Sequence, residues 1–190
     1  MQTETDKFQI FFHGNFIPLQ GVQFIVKAAK ILAGNPEIIF YLIGQGQTRA
    51  EAIELAKQLE LKNIIFIDRV PGNELPSRLK AADLCLGIFG DTEKTLRVIP
   101  NKVYECIAMA KPVISADTPA IRELFTDREN ILLCKVADAN SLAGKILKLK
   151  NNEDLRRKIA VGGYELYRSQ ARPAVIGKKL LESLGELYGK

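Results

Sequence analysis

"EIIFYLIGQGQTRAEAIELAKQLELKNIIFID", residues 37–68, holds two apolar runs separated by a helix-forming segment. The first, residues 37–46, is apolar almost throughout and ends in Gly44-Gln45-Gly46. Residues 48–61 are rich in Ala, Glu, Leu, Lys and Gln, which favour helix. The second run, residues 63–68, is again apolar. A strand that is apolar at nearly every position, rather than at alternate ones, is covered on both faces. Two such strands joined through a helix make a βαβ unit, whose strands run parallel.

The same alternation extends in both directions. "FQIFFHG" (8–14) reads as a strand, and "VQFIVKAAKILAG" (22–34) as a helix with a glycine stop. Beyond residue 68 the pattern predicts a short helix over 72–82, a strand over 83–89 and a polar loop, "GDTEKTLRVIP", over 90–100. A helix over 101–110, a strand over 111–116, a short helix over 119–125 and a strand over 130–135 follow. From Asp138 onward the pattern is helical nearly to the end. These elements predict an α/β fold: a Rossmann-like open parallel sheet of about six strands, helices on both faces and a helical C-terminal tail. No low-complexity linker or internal repeat divides the sequence, so one domain is expected over residues 1–190. In such sheets ligands bind outside the carboxyl ends of the strands. The loops to inspect are therefore His13–Gly21, Gly44–Gln47, Asp68–Asn73, Phe89–Asn101 and Ala116–Pro119.

Composition narrows the class. With 47% hydrophobic and 26% charged residues over 190 positions, the chain is globular and can bury a sizeable core. It has no apolar run of the roughly 18 residues a membrane span requires. Its start, "MQTETDKFQI", lacks the basic-then-apolar pattern of a signal peptide. Cys85, Cys106 and Cys134 each lie alone in an apolar run, without metal-ligand spacing. They read as small buried hydrophobes, and a reducing, cytoplasmic setting is the simplest context. His13, the one histidine, sits at a strand end. No Gly-x-Ser-x-Gly accompanies it, and neither a metal site nor a Ser/His triad is expected there. The net charge of +5 and pI of about 9.1 suit phosphates, acidic membrane or nucleic acid, and equally a solvated surface with spare lysines. The richest basic segment, "KILKLKNNEDLRRK", mixes acids with bases at helical spacing and reads as exposed helix faces.

One apolar stretch carries charges where they need a reason. In "IPNKVYECIAMAKPVI" (99–114), Asn101 is the expected N-cap after Pro100, and Lys102 then begins the helix. A helix N-terminus is already partly positive, so a cation there is poorly placed unless an anion joins it. Glu105 lies about one turn on. Two arrangements are open: an i, i+3 surface ion pair worth a few tenths of a kcal/mol, or a nucleotide-diphosphate pocket. In the pocket, Lys102 and the helix amides would meet phosphates, while Glu105 would accept hydroxyls from a ribose diol. The Gly-Gln-Gly turn is a weaker pointer to phosphate, since many such turns are only tight connections.

These motifs together resemble the GT-B glycosyltransferases, specifically the large family 4 of retaining enzymes, also called group 1. The family pattern is Glu, seven residues, Glu, then Ala-Met-Ala and a Pro-Val, with a later Glu before an apolar pair. Glu105, Ala108-Met109-Ala110, Lys111-Pro112-Val113 and Glu123 match it in order. "FFHGNFIPLQGVQFIVKAA", "YLIGQGQTRAEAIELAKQLELKNIIFIDRV", "ELPSRLKAADLCLGIF" and "NILLCKVADANSLAGKILKL" are similar to the family's successive strands and helices. The resemblance covers about residues 8–150.

It implies the donor-binding C-terminal half of a two-domain enzyme that moves a sugar from a nucleotide-diphosphate sugar to an acceptor hydroxyl. The N-terminal acceptor domain would be absent, and this half alone inactive. The chain is too short for two such domains; a fragment and a separate subunit both remain open. The helical tail lies where the family's closing helices pack back toward the other half. By the same resemblance, Glu105 would hold the ribose hydroxyls, and the amides around Ile99, Asn101, Lys102 and Val103 would meet the diphosphate and sugar. Gly14, Gly44 and Gly46 would let the backbone approach the ligand, and Arg69 and Val70 lie where a loop meets the base. No metal or other cofactor is expected, since amides and a cation can stabilise the leaving diphosphate; the sequence has no Asp-x-Asp. Expected partners are the nucleotide sugar, the missing half and the membrane surface, where many such enzymes find lipid-linked acceptors; no nucleic acid is expected.

Three positions depart from the family. The Arg and Lys that commonly clamp phosphate near the first turn appear here as Asn15 and Gln20, and the first glutamate of the pair as Arg97. A related subset of the family carries a lysine at the place of Lys102, so Lys102, with Arg97, is the candidate replacement for the clamp charge. Two other classes compete. A degenerate half acting in assembly or regulation would bind no nucleotide. A nucleotide-sugar epimerase would need a second domain and a carboxylate pair. A receiver-type module is disfavoured because the paired acids near the first strand are missing.

Overall fold

Successive residues of a strand face opposite sides of its sheet. Here both sides are buried. On β1 (Phe8–His13), Ile10 and Phe12 join one core cluster while Phe11 joins the other. On β6 (Leu132–Cys134), Leu132 and Cys134 face the first cluster and Leu133 the second. β5 (Val113–Ala116) divides in the same way between Ile114 and Val113. Helices α1 (Val22–Ile31), α2 (Arg49–Gln58) and α7 (Ala139–Lys150) cover the first face. Helices α3 (Leu75–Ala81), α5 (Asn101–Ala108) and α6 (Pro119–Arg122) cover the second. This doubled cover is why the strands are apolar at nearly every position.

The computed structural model describes residues 7–189; the polar start over residues 1–6, read above for signal-peptide character, and Lys190 lie outside the described residues. The sheet has six strands in the order β3-β2-β1-β4-β5-β6, with β2 at Ile38–Ile43, β3 at Ile64–Ile67 and β4 at Leu84–Leu86. Every pairing is parallel. From β1 the chain builds toward one edge through β2 and β3. It then crosses back through α3 to place β4 on the other side of β1. At that reversal the loops leaving β1 and β4 diverge, which opens a crevice at the carboxyl ends of the strands.

The two diverging loops are tied below the crevice. A 3-10 turn, Pro18–Gln20, follows β1. The Phe89 amide donates to the Gln20 carbonyl at 3.1 Å, and the Gly90 amide to Leu19 at 3.3 Å. Helix α4 (Glu93–Leu96) adds Thr95, whose hydroxyl donates to the Leu19 carbonyl at 3.3 Å. Gly21 lies at φ 64°, and a Cβ there would come within 2.4 Å of the Gly90 nitrogen.

Against the sequence expectations, all six strands and the five helices expected before the tail fall where the pattern put them, with shorter ends. Two differences have clear causes. The loop over 90–100 contains α4, a single turn capped by the Thr92 hydroxyl, which accepts from the Thr95 amide at 3.2 Å. One turn is too short to show periodicity. The helical tail divides into α7, α8 (Glu153–Leu166), a π-helical turn (Tyr167–Ala171) and α9 (Pro173–Tyr188). Asn152 caps α8 by accepting from the Leu155 amide at 2.8 Å. Pro173 stops the preceding helix by holding Arg172 extended, at φ −65° and ψ 140°. α9 leaves Ile176, Leu180, Leu181 and Leu187 exposed. Among the described residues no helix is long and apolar enough to cross a membrane.

Gly21→Ala combines a left-handed backbone with a clash against immobile backbone. It is expected to lower unfolding free energy by about 1–3 kcal/mol in urea denaturation.

Candidate functional site

A cavity of about 510 Å³ opens at the carboxyl ends of β1, β2 and β3, against the N-terminus of α5. Its chemistry comes from two elements. β1 and its loop supply His13, Gly14, Asn15 and Gln20, and α5 supplies Asn101, Lys102 and Glu105; Phe12 lies in the core behind them. A more open groove of about 790 Å³ runs along α8, where the acids Asp154 and Glu165 flank the bases Arg157 and Lys158. It lies away from the strand ends.

Lys102 crosses from α5 to the β1 loop. Its Nζ lies 3.6 Å from the centroid of the Phe12 ring and donates to Gln20 Oε1. The third neighbour is Gly14, where a Cβ would come within 2.9 Å of Nζ. The bare α-carbon of Gly14 is thus the space through which the ammonium passes. Lys102 is only 5% exposed, and this burial pushes its pKa well below the ordinary lysine value of 10.5. An ammonium has three donors, and among the described residues one oxygen receives one of them. An anion in the cavity would offset both the desolvation and the missing acceptors.

Glu105, one turn along, does not pair with Lys102. Its Oε2 lies 2.6 Å from Nε2 of His13, the last residue of β1. That hydrogen bond, opposed by burial, holds the carboxyl below the usual carboxylate range. The Glu105 side chain is 49% exposed and lines the cavity. The expected i, i+3 pair is absent among the described residues because Lys102 reaches Gln20 in the β1 loop and Glu105 reaches His13 at the end of β1 instead.

The N-terminus of α5 also differs from expectation. Pro100, extended at φ −74° and ψ 146°, is the N-cap and supplies no side-chain acceptor. Asn101 is therefore the first helical residue and Lys102 the second. The Val103 amide donates to the Pro100 carbonyl at 3.0 Å, while its side chain is core. Ile99 packs against the same cluster. The Asn101 and Lys102 amides have no partner among the described residues, so they remain as the donors at this helix end.

The other expected residues divide. Asn15, Arg69 and Val70 line the cavity with Gly14, Gln20 and Gly44. Gly46 does not. A Cβ on Gly44 would meet the Gly14 carbonyl oxygen at 1.9 Å, and one on Gly46 the Phe16 carbonyl oxygen at 2.5 Å. These two glycines let the loop after β2 lie against the loop after β1. Arg97, expected beside Lys102, ends α4 with its side chain 75% exposed and pairs with Glu93 at 3.2 Å, outside the cavity. The sequence reading passed over His13 and Phe12. The position of His13 at a strand end is the sequence signal for it; its bond to Glu105 depends on the fold, which brings α5 beside β1. Cys85, Cys106 and Cys134 are free and buried.

Comparison with known proteins agrees with the fold and the motif order. The family profile described as "Glycosyl transferases group 1" matches residues 2–166. The chain belongs to the group 1 glycosyl transferases. An uncharacterized glycosyltransferase of Methanocaldococcus jannaschii is 27% identical over 184 residues, covering 92% of this chain and 48% of that protein. The chitobiosyldiphosphodolichol beta-mannosyltransferase of Candida albicans is 25% identical over 158 residues, 80% of this chain and 34% of that one. The chain thus spans half or less of these two relatives. Among solved structures, Anabaena HepE in complex with UDP and glucose superposes with a TM-score of 0.84 at 17% identity, over 96% of this chain and 49% of HepE. The C-terminal domain of a group 1 family protein, LpcC of Francisella tularensis, has a TM-score of 0.74 at 27% identity, with 87% of each chain covered.

The buried ammonium leaves a signature in stability. Between the lowered folded pKa and 10.5, the unfolded chain binds a proton that the folded chain does not. Stability therefore rises with pH across that window. Relative to Lys102→Met, the wild type should gain up to about 1.4 kcal/mol per pH unit as pH approaches 10.5, measured by urea unfolding.

Proposed function

We propose that this chain is the donor-binding C-terminal half of a retaining glycosyltransferase, one domain that holds a nucleotide-diphosphate sugar at the Lys102 cavity. The observation that carries this reading is a buried ammonium at the carboxyl ends of the strands, beside two unpartnered helix amides. Lys102 stands in for the clamp charge missing at Asn15 and Gln20, with Gln20 as its anchor. The amides and Lys102 meet the diphosphate, Glu105 the ribose, and Arg69 and Val70 the base. An acceptor hydroxyl attacks the anomeric carbon, the glycosidic bond to the diphosphate breaks, and the charge left on the diphosphate is stabilised by donors already in place. No metal is assigned to that step.

The acceptor would be bound by the missing N-terminal half, so this half alone would not transfer sugar. The exposed apolar face of α9, Ile176, Leu180, Leu181 and Leu187, suits that partner. The complete enzyme would work in the cytoplasm, at the membrane surface where its acceptor is lipid-linked.

Calorimetric titration with UDP, GDP and ADP, with and without EDTA, tests the assignment. UDP is the first probe because HepE was solved with it. One nucleotide should bind independently of metal. Lys102→Ala should weaken it by about tenfold or more, equivalent to about 1.4 kcal/mol. A folded sample that binds none of the three would favour the degenerate, non-catalytic alternative.

A further inference from the structure

The contact between His13 and Glu105 joins residues 92 positions apart. His13 ends β1 and is 6% exposed, so its ring is fixed by the sheet. Glu105 is half-exposed and stands on the first turns of α5. A half-exposed glutamate ordinarily samples several rotamers. This one is tied at one oxygen.

The bonding also fixes the tautomer. A carboxylate only accepts, so His13 Nε2 must carry the hydrogen. Among the described residues, buried His13 Nδ1 has no partner. A bare lone pair there is less costly than a buried N–H without an acceptor. His13 therefore donates from Nε2 to Oε2, and Oε1 accepts no bond from the described residues. With Oε2 held on the wall of the cavity, Oε1 is the oxygen left to a ligand.

We infer that His13 is a positioning residue for Glu105: it holds the carboxylate in the one orientation that presents Oε1 to a sugar hydroxyl, and so sets the preference of the site for a ribonucleotide over its deoxy counterpart. The inference rests on the nucleotide reading above. His13 touches no reacting atom in this account. Its contribution is to remove rotamer freedom from Glu105 before the ligand arrives. It also explains why a histidine stands at a strand end whose neighbours, Phe12 and Gly14, serve Lys102.

Calorimetry of UDP against 2′-deoxy-UDP tests this, with wild type, His13→Ala, His13→Gln, Glu105→Ala and the double alanine variant. The wild type should prefer UDP by about tenfold, the usual weight of a well-placed hydrogen bond to a charged group. Glu105→Ala should abolish that preference, and His13→Ala should reduce it several-fold. His13→Gln places an amide N–H close to the Nε2 position and should restore it. The double variant should match Glu105→Ala. Should GDP or ADP be the nucleotide that binds, it and its 2′-deoxy form replace the UDP pair; if Glu105→Ala keeps the preference, or none of the three nucleotides binds, the ribose reading falls and the inference with it. If Glu105→Ala loses the preference while His13→Ala keeps it, the reading stands and the inference alone is overturned. A ligand-free control reads the contact directly. The sequence has one histidine, so its ¹⁵N correlation spectrum needs no assignment. It should show the Nε2–H tautomer and change in Glu105→Ala; an unchanged spectrum overturns the inference.

Discussion

Burial of one ammonium governs the arrangement at the carboxyl end of this sheet. Lys102 is carried into the loop after β1, where it finds the face of Phe12, one amide oxygen from Gln20 and the gap left by the missing side chain of Gly14. Each element is needed. The aromatic face and the amide oxygen partly replace hydration, and a Cβ at position 14 would crowd the nitrogen. The result is a cation that is expensive to keep in the empty protein and correspondingly responsive to an anion. Structural burial of this kind is poorly explained by stability, since an apolar residue would fill the space at lower cost.

The fold makes this possible by the reversal of strand order between β1 and β4. Helix α5 covers the second face of the sheet, and its N-terminus therefore points toward the crevice beside the β1 loop. Glycines 21 and 90 and the bonds from Phe89, Gly90 and Thr95 to the 3-10 turn hold the β1 loop at fixed height. Lys102 then reaches Gln20 in that loop and Glu105 reaches His13 at the end of β1, so α5 is tied at two points to the segment that leaves the sheet. Binding in the cavity acts on a site whose cation and carboxylate are already placed.

Much of this was legible in the sequence. Doubly apolar strands separated by helical segments imply a covered parallel sheet, and "NKVYECIAMAKPV" marked α5 as the charged element at its edge. What was hidden is tertiary. Lys102 and Glu105 are at the spacing of a helical ion pair, and nothing local says that both cross to β1 and its loop. The role of Gly14 becomes visible only when α5 is laid beside it, and that of Gly44 and Gly46 only when two loops are packed together. Asn101 has the better side chain for a cap, yet Pro100 takes that place because its extended backbone sets the helix start one residue earlier. Arg97 falls at the family's glutamate position by spacing, but the unforeseen turn of α4 directs it to Glu93 and solvent.

The central claim is that Lys102 is the counter-charge for a bound diphosphate. The most direct measurement is the distance from Lys102 Nζ to the nearest phosphate oxygen in a crystal of this chain with UDP. About 2.7–2.9 Å is expected, with the Gln20 contact retained and the Asn101 and Lys102 amides facing the same phosphates. A nucleotide bound elsewhere, or a phosphate lying more than about 4 Å from Nζ, would contradict it.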